Sequence, residues 1–189
     1  MKYNPEIHRR RSIRLKEYDY SQKGYYFVTI CTQNRQNYFQ DKSVSEMIEK
    51  WWDILPDKFF NIEIDEFIVM PNHVHGIIAI ISSPVGVDQC VYPDQCVYPN
   101  ENPDKHIGLN KGKHIGLPLP AIIQWFKTMT TNEYMRNVKK NKWEPFNGKL
   151  WQRNYYEHII RDGIELYKIR QYIRNNPVKH FQENKNAGK

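Results

Sequence analysis

Two histidines and a tyrosine–asparagine pair are the residues whose types and spacing point most directly to chemistry. His73 and His75 are separated by one residue. On a β-strand, residues two apart project from the same face, so the two imidazoles would lie side by side while Val74 points to the other face. Neutral imidazoles so placed can share a divalent metal ion, and Gly76 would leave room for a ligand or a backbone. Paired histidines on one face are core or surface residues about as often as ligands, so a structural role stays open.

The second pair is Tyr172 and Asn176, which are four residues apart and therefore lie one turn from each other on one helix face. A metal held by two histidines and an amide oxygen would act as a Lewis acid on a phosphate beside a tyrosine nucleophile. Phosphoryl transfer to tyrosine would conserve the bond energy for a later rejoining step. This reasoning predicts a metal site at His73, His75 and Asn176 with Tyr172 as the nucleophile.

Other tyrosines compete with Tyr172. They are Tyr167, which has Gln171 four residues on, and the adjacent Tyr155 and Tyr156. At about 100° per residue, three aliphatic side chains of the last helix form a buried stripe, namely Leu166, Ile169 and Ile173. Tyr172 borders that stripe and Tyr167 lies on the opposite side, which favours Tyr172. An amphipathic residue at the edge of a core is the structural alternative for Tyr172.

Hydrophobic periodicity supplies the elements that must position these residues. It predicts strands at residues 25–32, 61–70, 73–81 and 150–160, and helices at 43–60, 119–139 and 163–175, the last one ended by Pro177. The order strand, helix, strand, strand, helix, strand is the split βαβ pattern of ferredoxin-like folds. We therefore expect an α+β fold, with an antiparallel sheet covered on one face by two helices. The C-terminal helix is additional and carries Tyr172.

Composition narrows the class of protein. The chain has 189 residues, 40% of them hydrophobic, and 28 Lys and Arg against 21 Asp and Glu leave a net charge of +7. This excludes wholesale disorder and favours one domain with polyanionic partners. No run of about 18 apolar residues is present, so neither a membrane-spanning helix nor a secretory signal is expected. Three cysteines are too few for a disulfide framework, and we expect a cytoplasmic protein.

Residues 82–120 differ in character from the rest of the chain. DQCVYP occurs twice, at 88–93 and 94–99, and KHIGL occurs twice, at 105–109 and 113–117. Repeats this short do not build a solenoid, so we interpret the segment as an expanded loop. Its paired cysteines and histidines arise from peptide copying, which argues against a metal site there.

Basic residues predict where DNA would bind. They are Arg9, Arg10, Arg11 and Arg14 in the N-terminal segment, with Lys127, Arg136 and Arg153 further along the chain. A solvated tail is the alternative for the first group. We expect a basic arm at residues 1–24, a catalytic domain at 25–180 with the inserted loop at 82–120, and a tail at 181–189.

Three segments carry a resemblance to a known family. FIVMPNHVHGIIAI at 67–80, LWQRNYYEHIIRD at 150–162 and YIRNNPVKH at 172–180, in this order, resemble the REP-associated tyrosine transposases, which belong to the single-tyrosine HUH nucleases. The resemblance covers most of residues 25–180. It implies that His73 and His75 are the HUH ligands of Mg²⁺ or Mn²⁺, that Tyr172 is the nucleophile and that Asn176 is the third ligand.

The same resemblance implies an activity. Such proteins cleave single-stranded DNA near short hairpin-forming repeats, forming a 5′-phosphotyrosine and a free 3′-OH that can be rejoined to another strand. The inserted loop departs from the compact family pattern. Two alternatives stay open, a catalytically silent protein that binds hairpin DNA and a metal-dependent nuclease that uses activated water. The sequence also leaves open a monomer or a homodimer, and whether the last helix acts on its own subunit.

Overall fold

The computed structural model describes residue 15 and residues 17–81, 117–140 and 142–186, with the backbone alone for 177–186. Four arginines predicted to bind DNA, Arg9, Arg10, Arg11 and Arg14, lie outside the described residues, as does most of the predicted insertion. In the part of the chain that is described, no helix is long and apolar enough to cross a membrane.

Four strands and four helices make up the described chain. In chain order they are β1 (Gly24–Cys31), α1 (Lys42–Asp53), α2 (Leu55–Lys58), β2 (Ile62–Met70), β3 (His73–Ile80), α3 (Leu119–Lys139), β4 (Tyr156–Ile160) and α4 (Gly163–Asn186). The strands form one sheet in the order β2-β3-β1-β4, and every neighbouring pair is antiparallel. This confirms the predicted α+β class and its antiparallel sheet.

Three predicted elements were wrong in extent. The strand predicted at 150–160 begins only at Tyr156, because Leu150 and Trp151 are buried in the core and Trp151 forms only an isolated bridge with Thr32. The helix predicted at 43–60 is split at Ile54, two residues before Pro56, whose missing amide cannot continue the helical hydrogen bonds. The last helix passes through Pro177, since one lost amide weakens a helix without forbidding it.

The inner face of the sheet carries the main hydrophobic core. Alternate residues of the two central strands point to this face, including Val28 and Ile30 of β1 and Val74 and Ile78 of β3, and all four are fully buried. Helices α1 and α3 cover them, as the sequence predicted for two helices on one face. This core fixes the sheet on which the site is built.

The outer face of the sheet carries the histidines and a smaller apolar cluster. Phe27, Ile77 and Ile160 of three strands pack against Ile173 of α4, with Leu166 and Ile169 partly buried beside them. The predicted stripe of the last helix is therefore confirmed. His73 and His75 lie on this face, whereas Val74 belongs to the inner core, which confirms the predicted alternation.

Gly76 has a different role from the one that the sequence suggested. It lies on the inner face, and a Cβ at this position would come within 2.4 Å of the Trp52 ring and 3.0 Å of the Phe67 ring. The two rings stack on each other with centroids 4.3 Å apart. The space that a side chain would occupy at Gly76 is filled by the stacked core rings of Trp52 and Phe67, and not by a ligand.

We predict that Gly76→Ala lowers the free energy of unfolding by about 1–3 kcal/mol, because the buried Trp52 ring must shift to admit the methyl group. Urea unfolding followed by tryptophan fluorescence measures this. Gly24→Ala is the matched control, since its Cβ would meet only one side-chain atom, at 3.9 Å, and we expect a change below about 1 kcal/mol. Equal unfolding midpoints for the two variants would contradict this account of Gly76.

Candidate functional site

The histidine pair is held by hydrogen bonds on the far side of each ring. Nδ1 of His73 lies 2.6 Å from Oδ1 of Asn72, and Nδ1 of His75 lies 2.8 Å from Oγ1 of Thr29. An amide oxygen only accepts, so Nδ1 of His73 carries the proton, and the Thr29 hydroxyl can accept from His75 in the same way. Both rings are thereby oriented with Nε2 turned toward the other ring.

The distance between the two Nε2 atoms is 3.1 Å. Two metal–ligand bonds of about 2.1 Å at a right angle span about 3.0 Å, so this spacing fits two adjacent positions of an octahedral ion. Two facing lone pairs also repel each other, and a shared cation removes that repulsion. Hydrogen bonds from the opposite ring nitrogens are the usual support of histidine ligands.

Electrostatics keep the inner imidazole neutral. His75 is only 4% exposed. Burial, and then the neighbouring His73 imidazole, lower the pKa of His75 to about 4. A neutral imidazole is the form that binds a metal. Across the described residues, no group of three or more His, Cys, Asp or Glu side chains could hold a metal, so a third protein ligand here would be an amide or a hydroxyl.

Tyr172 of α4 reaches the histidine pair. Its hydroxyl oxygen lies 3.4 Å from Nε2 of His75, and its ring makes edge contacts with Phe27 and His75 at centroid distances of 6.0 and 5.3 Å. The side chain is 44% exposed, so the hydroxyl stands at the mouth of the site. Asn176, one turn further along α4, lines the same cavity.

The site is an open cavity of about 840 Å³. Its lining residues come from β1 and the turn after it, from β3 and the turn before it, from β4 and the segment before it, and from α4: Phe27, Thr29, Cys31, Arg35, Asn72, His73, His75, Gln152, Asn154, Tyr155, Tyr156, Tyr172 and Asn176. Tyr167 is 63% exposed and does not line the cavity, whereas Tyr155 and Tyr156 do. The structure thus brings together the four predicted site residues and leaves two of the rival tyrosines beside them.

The cations predicted to bind DNA have different positions. Arg153 is exposed and lines a second open groove of about 720 Å³, which shares Gln152 and Asn154 with the cavity. Arg136 is exposed on α3, which covers the inner face of the sheet and so lies away from the cavity. Lys127 requires a correction. It is 8% exposed, and its ammonium donates to the carbonyls of Gln152 and Arg153 at 2.6 and 3.1 Å, because this irregular segment needs donors for its carbonyls.

Sequence reasoning missed several lining residues. Asn72 could have been found from its place beside the histidine motif, since metal-ligating histidines usually have a partner for the second ring nitrogen. Thr29, Arg35 and Gln152 carry no signal of spacing, because each lies in a different segment and only the tertiary fold brings them to the cavity.

Helix α4 docks on the sheet of its own chain. The register of β2 against β3 shifts between Ile64 and Phe67, so Asp65 and Glu66 form a bulge. Arg170 donates to Asp65 through Nε at 3.0 Å and Nη2 at 2.6 Å, and Arg174 forms an ion pair with Glu66. We call these two pairs the β2–α4 ion pairs. They hold the turns of α4 that carry Tyr172 and Asn176.

The fold and the site define an α+β protein in which a histidine pair on a sheet faces a tyrosine on a covering helix. Residues 20–91 and 103–176 match the family model described as IS200-like transposase. The chain belongs to the IS200-like transposase family.

Two curated proteins and a solved structure are similar to this chain. An uncharacterised Haemophilus influenzae protein is 39% identical over 185 residues, covering 94% of this chain and 93% of that protein. A second H. influenzae protein, named after the REP-associated tyrosine transposases, is 25% identical over 166 residues, covering 86% of this chain and 74% of its own. A REP-associated tyrosine transposase solved with a REP hairpin shares the fold, with a TM-score of 0.54 at 19% identity, covering 89% of this chain and 74% of that one.

We predict that the combined change Asp65→Asn and Glu66→Gln loosens α4 without unfolding the inner core. Partly exposed ion pairs contribute little each but both are lost here, so amide exchange across residues 166–176 should accelerate about fivefold. Native-state hydrogen exchange measures this, with the amides of β1 and β3 as the internal reference.

Lys42→Ala is the control for this prediction, because it removes the exposed Lys42–Glu46 pair of α1. It should leave exchange in α4 unchanged. If the charge-neutral double variant exchanges at the wild-type rate in α4, the β2–α4 ion pairs do not hold the helix.

Proposed function

We propose that this chain is a metal-dependent single-stranded DNA endonuclease and strand transferase that acts near hairpin-forming repeats through a 5′-phosphotyrosine intermediate. One observation carries the proposal: the Tyr172 hydroxyl lies 3.4 Å from Nε2 of His75, in a cavity shared with His73 and Asn176. Membership of the IS200-like transposase family supports a reaction on DNA.

His73, His75 and Asn176 would hold the metal, Mg²⁺ or Mn²⁺. The facing Nε2 atoms and the Nδ1 partners Asn72 and Thr29 fit this role. The bound ion would polarise the scissile phosphate as a Lewis acid. Holding both rings in position before DNA arrives is the contribution of the chain itself, since preformed ligands need no reorganisation during the reaction.

Tyr172 would carry out the covalent step. Its phenol oxygen attacks phosphorus, the bond from phosphorus to the 3′ oxygen breaks, and the phosphate stays linked to the 5′ oxygen of the downstream strand. The phenol proton passes to water and the leaving 3′ oxygen takes up a proton, which yields a free 3′-OH. Attack by a 3′-OH on the phosphotyrosine reverses the step and joins two strands.

The DNA substrate would extend from the cavity into the neighbouring groove. That groove contains Arg153, Lys149 and several amide side chains, which can bind phosphates and base edges. Hairpin DNA as the partner is supported by the related transposase that was solved with a REP hairpin. Arg136 and the predicted N-terminal arm remain further candidates for phosphate contacts.

We propose that Tyr172 acts at the histidine pair of its own chain, because the two lie together within one chain. Both H. influenzae relatives are bacterial, and bacterial DNA lies in the cytoplasm, where we place the activity. The alternative functions are a catalytically silent protein that binds hairpin DNA and a nuclease that uses activated water.

We predict that wild-type protein forms a covalent adduct with end-labelled single-stranded hairpin DNA and that Tyr172→Phe abolishes it, because the variant loses only the attacking oxygen. Denaturing gel electrophoresis detects the adduct. Tyr167→Phe is the matched control on the exposed side of α4 and should retain wild-type yield.

Each other gel result assigns a different function. An adduct that persists in Tyr172→Phe but is lost in Tyr155→Phe or in Tyr156→Phe would identify Tyr155 or Tyr156, respectively, as the nucleophile. Cleavage without an adduct in the wild type would indicate a water-activated nuclease. Hairpin binding with neither cleavage nor an adduct would indicate the silent binding protein.

We predict that chelator abolishes the adduct and that added Mn²⁺ restores it. His75→Ala should weaken Mn²⁺ binding at least tenfold, because the ion loses one of its two imidazole ligands. His73 alone would then remain of the two Nε2 atoms that lie 3.1 Å apart. Electron paramagnetic resonance of free Mn²⁺ measures binding without DNA. His158→Gln is the control, since His158 pairs with Glu165 outside the cavity. Unchanged Mn²⁺ binding in His75→Ala would refute the metal site.

A further inference from the structure

The turn that follows β1 has an unusual backbone. Gln33–Arg35 forms a 3₁₀ turn in which Asn34 has φ 54° and ψ 22°, and Arg35 also has φ 54°. Left-handed dihedrals at two successive residues with side chains are unfavourable, because the Cβ crowds the following carbonyl. Such strain persists only where the surroundings enforce it, and it occurs mostly at functional sites.

The surroundings of this turn do enforce it. Thr32 is fully buried, and its Oγ1 lies 2.7 Å from the carbonyl oxygen of Gln36 and 3.0 Å from that of Asn72. The amide of Thr32 also donates to the Asn72 carbonyl at 2.9 Å, and the amide of Gln33 donates to Leu150 at 2.8 Å. The turn is therefore tied to the residue that orients His73 and to the segment that precedes β4.

The strained turn places the Arg35 side chain in the lining of the cavity that contains His73, His75 and Tyr172. Of the thirteen described residues that line the cavity, Arg35 is the one lysine or arginine, and none is an aspartate or glutamate. Among the described residues no carboxylate forms an ion pair with its guanidinium. The described lining thus has one cationic side chain that is available to an anion.

We propose that Arg35 is a catalytic residue that binds the non-bridging oxygens of the scissile phosphate. This inference rests on the proposed function. A phosphodiester carries one negative charge and gains a second as the Tyr172 oxygen adds to phosphorus. The planar guanidinium can donate two parallel hydrogen bonds to that group, and these bonds strengthen as the charge develops. Arg35 keeps all of its protons throughout the step.

Single-turnover kinetics with saturating hairpin DNA test the catalytic part. Arg35→Ala should slow adduct formation about 100-fold, while the dissociation constant for DNA rises less than tenfold, because the contact is strongest in the transition state. Arg35→Lys keeps the charge but loses the paired donors, so we expect an intermediate rate. Lys58→Ala on α2 removes an exposed cation from the opposite side of the sheet and should react at the wild-type rate.

A second measurement does not depend on the reaction. In a Tyr172→Phe background, the binding of single-stranded DNA is measured across a range of salt concentrations, with and without Arg35→Ala. Loss of one phosphate contact should reduce the slope of log K against log salt by about 0.7. Lys58→Ala in the same background should leave the slope unchanged.

The outcomes separate the two proposals. A wild-type rate together with an unchanged salt slope in Arg35→Ala overturns the role of Arg35 and leaves the tyrosine mechanism standing. A reduced slope with an unchanged rate overturns the catalytic role and retains a phosphate contact. If the wild type forms no adduct, the proposed function fails, and the salt slope alone then decides whether Arg35 binds phosphate.

Discussion

The contact between α4 and the outer face of the sheet is the interaction on which the site depends. β3 is a central strand, so alternation places Val74 and Gly76 in the main core and His73 and His75 on the other face. That second face needs a cover, and α4 supplies it. The cluster buried there is small, with Ile173 as the one fully buried residue among the described side chains of the helix, those of residues 163–176. Nonspecific apolar contact over so small an area leaves the helix free to slide, and the directional β2–α4 ion pairs restrict it.

Lys127 and Arg35 show that tertiary structure determines whether a basic side chain reaches the site. Lys127 lies on a helix of the inner layer, yet its ammonium is buried against the carbonyls of the segment before β4. That segment forms a wall of both the cavity and the neighbouring groove. Lys127 therefore supports a wall of the site without reaching it. Arg35 lies in a polar turn that has no periodic pattern, yet its side chain enters the cavity.

Much of the scaffold was predictable, because it follows from local periodicity. The apolar run of β3, the bounds of α3 and the pairing of Tyr172 with Asn176 on one helix face all depend on neighbours within a few residues. Two errors, the start of β4 and the role of Lys127, arise where a residue is apolar or charged for a reason distant in sequence. Leu150 and Trp151 are hydrophobic because they are buried in the main core, although their backbone is irregular.

The candidate site was predictable only in the residues that share an element. The histidines are neighbours on β3, and Tyr172 and Asn176 are neighbours on α4, so their spacing is visible in the sequence. Thr29, Arg35 and Gln152 approach them only through strand pairing and through the hydrogen bonds between the turn after β1 and residues 72 and 150. Complementary chemistry suggested the link between the two visible pairs and family resemblance supported it, since no spacing rule could provide it across almost 100 residues.

Exposure differs sharply between the two sides of the site, and the difference suits a polymeric substrate. His75 is 4% exposed and hydrogen-bonded from behind, so its ring is held in position and shielded from water. Tyr172 is 44% exposed at the mouth of an open cavity. A DNA strand cannot enter a closed pocket end first, because the scissile phosphate lies within a continuous chain. Under the proposed function, an attacking group at the rim, beside the buried His75, would let such a phosphate settle sideways onto the site while the strand continues in both directions.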